Sequence, residues 1–213
     1  DVIDVQTPRG HIPSMVHDPE NLGSSDATPL FLIAVALYRR VIGDGGFLDG
    51  AAQKALTWMQ YQSPDDAVIV GQLPTSDWRD EHWVLGYGLY VNSLVHTYLR
   101  LYRRDEEAEK LRSLMNRLDV RRDVGNHHIH EGLVVPAQPY FAMYAYKVYS
   151  NERFDLLGNC LASLTGIASR RRNTRSVRQS RVSSIAARTR WPWCFSSLAS
   201  KRSNRVKASA VAP

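Results

Sequence analysis

The stretch Gly88-Leu89-Tyr90-Val91-Asn92-Ser93-Leu94-Val95-His96-Thr97-Tyr98-Leu99-Arg100-Leu101-Tyr102 decides the fold class. Leu89, Val91, Leu94, Val95, Tyr98, Leu99 and Tyr102 gather on one wide apolar face when wound at 3.6 residues per turn, so a helix is expected from about Gly88. Upstream, Thr28 as a cap and Pro29 at the first helical position open another helix, in which Leu30, Ile33, Ala34, Leu37 and Val41 recur at helical spacing until Gly43 stops it. Between the two, residues 50–60 read as a helix capped by Asp49, with Ala51, Ala55, Leu56 and Met59 inward. Downstream, Asp105 caps a more polar, outer helix that carries Ala108, Leu111, Met115 and Leu118. A fifth helix is expected from Pro139 through Tyr140, Phe141, Tyr144 and Val148, and a sixth over residues 154–168 with Leu156, Leu157, Leu161, Leu164 and Ile167. Strand signals are confined to residues 68–71 and 133–135. The expectation is an all-α fold of stacked helical hairpins, with one end of the stack carrying the chemistry.

The chemistry is expected in residues 73–83, where Asp77, Asp80, Glu81, Arg79, Trp78 and Trp83 crowd into one inter-helix loop. Tryptophan faces stack on the apolar face of a sugar ring, carboxylates and a guanidinium bond its hydroxyls, and a protonated acid serves a leaving oxygen. The plain alternative is a solvated loop whose tryptophans cap the core.

Charge divides the chain. Residues 170–213 hold 12 of the 27 Lys and Arg and none of the 21 Asp and Glu, so residues 1–169, with 15 basic and 21 acidic side chains, carry a net −6. The overall +6 is therefore an average over a globular body, residues 1–169, and a basic tail, residues 170–213, expected to be disordered. A frame slip in the coding sequence near Ser169 would account for that composition, and a basic arm with Trp191, Trp193 and Phe195 for stacking is the other account. Nucleic-acid binding by such an arm is expected to be unspecific and salt-dependent. The two cysteines, Cys160 and Cys194, supply no disulfide framework, and no apolar run approaches the ~18 residues of a membrane span, so a cytoplasmic protein without a membrane partner is expected. The sequence opens at Asp1 in loop-like residues, as a fragment lacking its upstream part would.

Three runs, in order, resemble six-hairpin glycosidases. Residues 25–32, Ser-Asp-Ala-Thr-Pro-Leu-Phe-Leu, are similar to the Ser-x-Asp-Ala-Thr-Pro-Leu-Phe segment of that clan, and Trp78-Arg79-Asp80 is similar to its Trp-x-Asp signature. Residues 153–162 resemble the Arg-Phe-x-x-Leu-Gly-Asn run of neutral invertases. The resemblance implies a partial (α/α)6 barrel, about six helices of a toroid of about twelve, and an inverting hydrolysis of α-glucosidic or sucrose-type carbohydrate by two carboxyl groups ~6.5–9.5 Å apart. It assigns the general acid to Asp80, with Asp77 as the fallback, and sugar contacts to Asp26, Trp78, Arg79 and Trp83. Plain helix capping is the other reading of Asp26.

The clan's second carboxylate falls where this chain has its acid-free tail, and neither Glu81 nor Glu131 matches its position, so turnover is expected to be lost. A sugar epimerase on the same barrel, using His11, His82, His96 and the 126–131 loop, is the alternative enzyme. His127, His128, His130 and Glu131 lie too close together for a tetrahedral zinc site without further ligands. No metal and no cofactor is expected.

Overall fold

The computed structural model describes residues 2–18, 20, 23–64, 68–79, 82–116, 133–134, 140–146 and 149–168. The chain divides into two compact units, Asp1–Ser176 and Val177–Pro213; every described residue belongs to the first. Its elements are α1 (Ala27–Ile42), α2 (Asp49–Gln60), β1 (Tyr87–Gly88), α3 (Leu89–Leu101), α4 (Asp105–Asn116), β2 (Ala142–Tyr146), β3 (Tyr149–Phe154) and α5 (Leu156–Leu164).

Helix α3 is the centre. It packs against α1, α4 and α5, while α2 packs on α1. Leu89, Val91, Val95 and Leu99 are essentially inaccessible, Leu94 and Tyr98 are buried with them, and Tyr102 just past its end is half-buried. Each such side chain contributes roughly 1.5–3 kcal/mol of burial. Helix α4 buries Ala108, Leu111 and Met115, as its spacing predicts, and α2 buries Ala52, Ala55, Leu56 and Met59.

The all-α expectation is corrected by a three-stranded antiparallel sheet in the order β1-β2-β3. The expected fifth helix is strand β2, paired to β1 through Tyr87–Ala145 and to β3 through Ala142–Phe154 and Tyr144–Asn151. Its residues mislead locally: Phe141 and Tyr144 stand three apart, as on a helix face, whereas the hydrogen bonds that make the segment a strand come from β1 and β3, with a register shift between Ala142 and Tyr144 where β3 carries the extra residue. Phe154 accordingly ends a strand, and α5 starts two residues later behind Asp155, whose carboxylate caps it by accepting from Gly158 N at 3.1 Å. Of the expected strand pieces, residues 68–71 form none, and Val134 makes a single bridge to Phe141.

Two helices bury a face other than the expected one. In α1 the buried residues are Thr28, Pro29, Leu32, Val35 and Ala36, and Leu30, Leu37 and Val41 are exposed. In α5 the buried residues are Gly158, Asn159 and Ala162, and Leu156, Leu157 and Leu164 are exposed. Small residues bring α5 close to α3: a Cβ on Gly158 would stand 3.0 Å from Leu89 Cδ2. Both helices are thus apolar on two sides, and the larger side chains are on the open one.

Candidate functional site

The loop between α2 and α3 is fastened before it reaches any chemistry. Asn92, fully buried on α3, holds Val70 on both sides, accepting from its N–H at 2.8 Å and donating to its carbonyl at 2.9 Å. Gln72 and Gly86 then exchange two backbone hydrogen bonds of 2.8 and 2.9 Å, closing residues 73–85 into a loop with a fixed base. Gly86 has φ +86, and a Cβ there would stand 2.7 Å from the Ala145 carbonyl oxygen, so no other residue fits. Gly88 lacks a Cβ where the Gln72 side-chain oxygen lies.

Within the loop, Arg79 is the organising side chain. Its Nε and Nη2 donate to Asp77 at 3.1 and 2.6 Å, and its Nη1 donates to Asp155 at 2.9 Å. Gln72 adds a donor to Asp77 at 3.1 Å. The guanidinium lies 5.6 Å from the centre of the Trp78 ring and 5.8 Å from that of Tyr90. Asp26 sits alongside, accepting from Trp78 N at 3.2 Å and from Ser24 Oγ at 2.8 Å, and it bonds the Tyr90 hydroxyl. Asp26 precedes α1, Tyr90 lies in the first turn of α3, and Asp155 precedes α5. Three helix starts therefore meet at one loop, where their positive dipole ends favour the carboxylates.

The expected site residues separate into two kinds. Asp26, Asp77 and Arg79 are buried, whereas Trp78 is 54% and Trp83 72% exposed. Asp80 and Glu81 lie outside the described residues, as do His127, His128, His130 and Glu131. Asp26 does not cap α1 with its side chain; that part is taken by Ser24, whose Oγ accepts from Ala27 N at 3.0 Å. Arg79, expected to reach sugar hydroxyls, has its side chain committed to two carboxylates.

Burial by itself would raise the Asp77 carboxyl pKa, but the side-chain and backbone hydrogen bonds of Arg79, with that of Gln72 and the guanidinium charge, outweigh it and hold the pKa below the ordinary value. Asp77 is therefore a carboxylate at neutral pH, an environment that does not suit the fallback assignment as proton donor. The Tyr90 hydroxyl is pushed up by burial and by the charge of Asp26, so it stays protonated as a donor. Among the described residues no group of His, Cys, Asp and Glu is arranged to hold a metal, and no described helix is long and apolar enough to cross a membrane.

Sequence reasoning missed Asp155, Tyr90, Asn92 and Asn159. Asn159 repeats the device of Asn92: on α5 it accepts from Phe141 N at 2.9 Å and donates to Phe141 O at 3.2 Å. The available signal was a lone amide inside an apolar helical run. A buried polar side chain must find partners, and here the partner is another segment's backbone. No protein-family model and no curated protein matches the chain.

Proposed function

We propose that the chain carries the acid side of a glycoside-cleaving site, laid across the helix starts of a partial (α/α)6 barrel. The observation that carries this reading is the loop of residues 73–83 locked over α1, α3 and α5, with Trp78 half exposed above buried carboxylates. Two further features support it. α3 lies between α1 and α5, with α2 packed on α1 and α4 on α3, as alternate helices of a hairpin stack do. α1 and α5 are apolar on their open sides, as helices with neighbours on both sides are.

Asp80 is the proton donor in this reading, two residues beyond the stacking Trp78. Trp83 supplies a second aromatic face, Asp26 bonds a sugar hydroxyl, and Asp77 with Arg79 holds the loop. The substrate class is a neutral α-glucoside or sucrose-type saccharide, met in the cytoplasm. With no second carboxylate to activate water, the expected behaviour is saccharide binding without turnover.

The test is titration of the whole chain with sucrose and maltose, followed by tryptophan fluorescence and by calorimetry. Millimolar binding is expected, weakened at least tenfold by Trp78→Ala, which removes the stacking face, and retained in Asp80→Asn. Absence of any binding component that Trp78→Ala weakens would overturn the reading.

A further inference from the structure

Beside the Asp26–Trp78 network, two cavities share Gln62, Gly71, Gln72 and Leu73 and so border one another along that segment. One, of about 240 Å³, lies between the start of α1 and the end of α2, with Ser24, Ser25, Thr28, Ser76, His11 and Trp58 among its walls. The other, of about 550 Å³, is walled by Tyr61, Tyr87, Tyr146, Leu85 and Pro64. We propose that together they form a second binding cleft for a neutral saccharide or polyol, the hydroxyl-bearing end of the ligand in the serine cavity and its apolar ring face against the tyrosines.

The direction of the hydrogen bonds specifies the ligand. Ser76 Oγ gives its single proton to the Leu73 carbonyl at 2.6 Å, so in the 2.6 Å contact between the two hydroxyls Ser25 is the donor. Ser24 gives its proton to Asp26. His11 Nε2 donates to the Ser24 carbonyl at 3.0 Å, and its Nδ1 has no hydrogen-bond partner among the described residues. These four side chains have spent their protons within the protein, and their remaining capacity is to accept. A ligand matched to them brings donors, as the hydroxyl groups of a polyol do.

No described residue lining either cavity carries a charge, so a charged sugar meets no counter-charge among them and a neutral one is favoured. At the other end, Tyr61 is 80% and Leu73 73% exposed, an apolar rim suited to the C–H face of a sugar ring.

The cleft adjoins the hydrolytic site through residues 73–76 and Ser24, but none of Asp26, Trp78, Arg79 and Trp83 lines it, so the two are tested apart. It is tested by calorimetric titration of the whole chain with methyl α-glucoside, glucosamine and glucuronate at neutral pH. The chain is compared with Tyr61→Ala, Ser25→Val and Trp78→Ala, each checked for native circular dichroism. The expected result is binding of the neutral glucoside in Trp78→Ala, a loss of at least fivefold in Tyr61→Ala and in Ser25→Val, and weaker binding of both charged analogues. Tyr61 is exposed enough for its truncation to leave folding intact, so that variant decides the matter if Ser25→Val unfolds. Equal affinity in Tyr61→Ala, equal affinity for the charged sugars, or loss of all binding in Trp78→Ala alone would overturn the proposal.

Discussion

Arg79 shows how a residue that looks like ligand-binding apparatus can be structural. Its guanidinium holds two buried carboxylates, from Asp77 in its own loop and Asp155 at the start of α5. Removing it leaves both without their cation. Arg79→Met is therefore expected to lower unfolding free energy by about 3–5 kcal/mol in urea titration. Arg79→Lys is expected to recover only part, because a point charge cannot reproduce three directed bonds. The stability contributed by the lowered Asp77 pKa is present at neutral pH and lost as pH falls below the ordinary carboxylate range.

His96 titrates in a different window. Burial, followed by the charges of Arg100 and Arg112, lowers it to about 4 from an ordinary 6.5. The unfolded chain takes up that proton first, so the contribution is intact above pH 6.5 and declines as pH falls toward 4, by roughly 3 kcal/mol in all. Thermal melts across this range should show the decline, and His96→Leu should flatten it.

At the scale of elements, the two asparagines do what a strand partner would. Asn92 gives Val70 both halves of a ladder pair from a helix, and adds a bond of 3.0 Å to the Gly88 carbonyl. Asn92→Leu keeps the volume and strands the buried Val70 N–H and carbonyl. The expected cost is about 2–4 kcal/mol, with hydrogen exchange at the Val70 amide accelerated more than at amides in the middle of α3. α1, α2, α3 and α4 were legible in the sequence because helical periodicity is a local property, although Thr28 and Asp49, expected as caps, lie inside α1 and α2. β2 was not, because only its pairing with β1 and β3 makes it a strand, and that pairing has no local signature. The face of α1 was misjudged for a related reason: when a helix is apolar all round, spacing cannot say which side meets its neighbours.

The whole molecule has apolar surface left over. Leu30, Leu37 and Val41 on α1, and Leu156 and Leu164 on α5, are exposed, with Val41 and Leu164 each at 83%. Isolated apolar residues on a surface are ordinary, but rows of them along one helix promote association. Leu37→Glu combined with Val41→Glu is expected to change unfolding free energy by less than about 0.5 kcal/mol and to shift the sedimentation profile toward monomer. A large loss of stability would mean that the stripe is part of the core. Of the candidate site, the loop of residues 73–83 was singled out from residue types and Asp26 from the resemblance, but how Asp26, Asp77 and Arg79 are bonded was not legible. Tryptophan, aspartate and arginine in one short loop announce polar, aromatic chemistry because those side chains are rarely assembled without use. The sequence by itself determined the helical character, the placing of the polar aromatic loop before α3 and the separation of a basic tail from an acidic body, since each is written in neighbouring residues. Only the tertiary structure decided that Arg79 is held by Asp77 and Asp155, that β2 is a strand and that α1 turns Leu37 outward. Those outcomes depend on which distant groups meet, through hydrogen bonds and packing that no local pattern encodes.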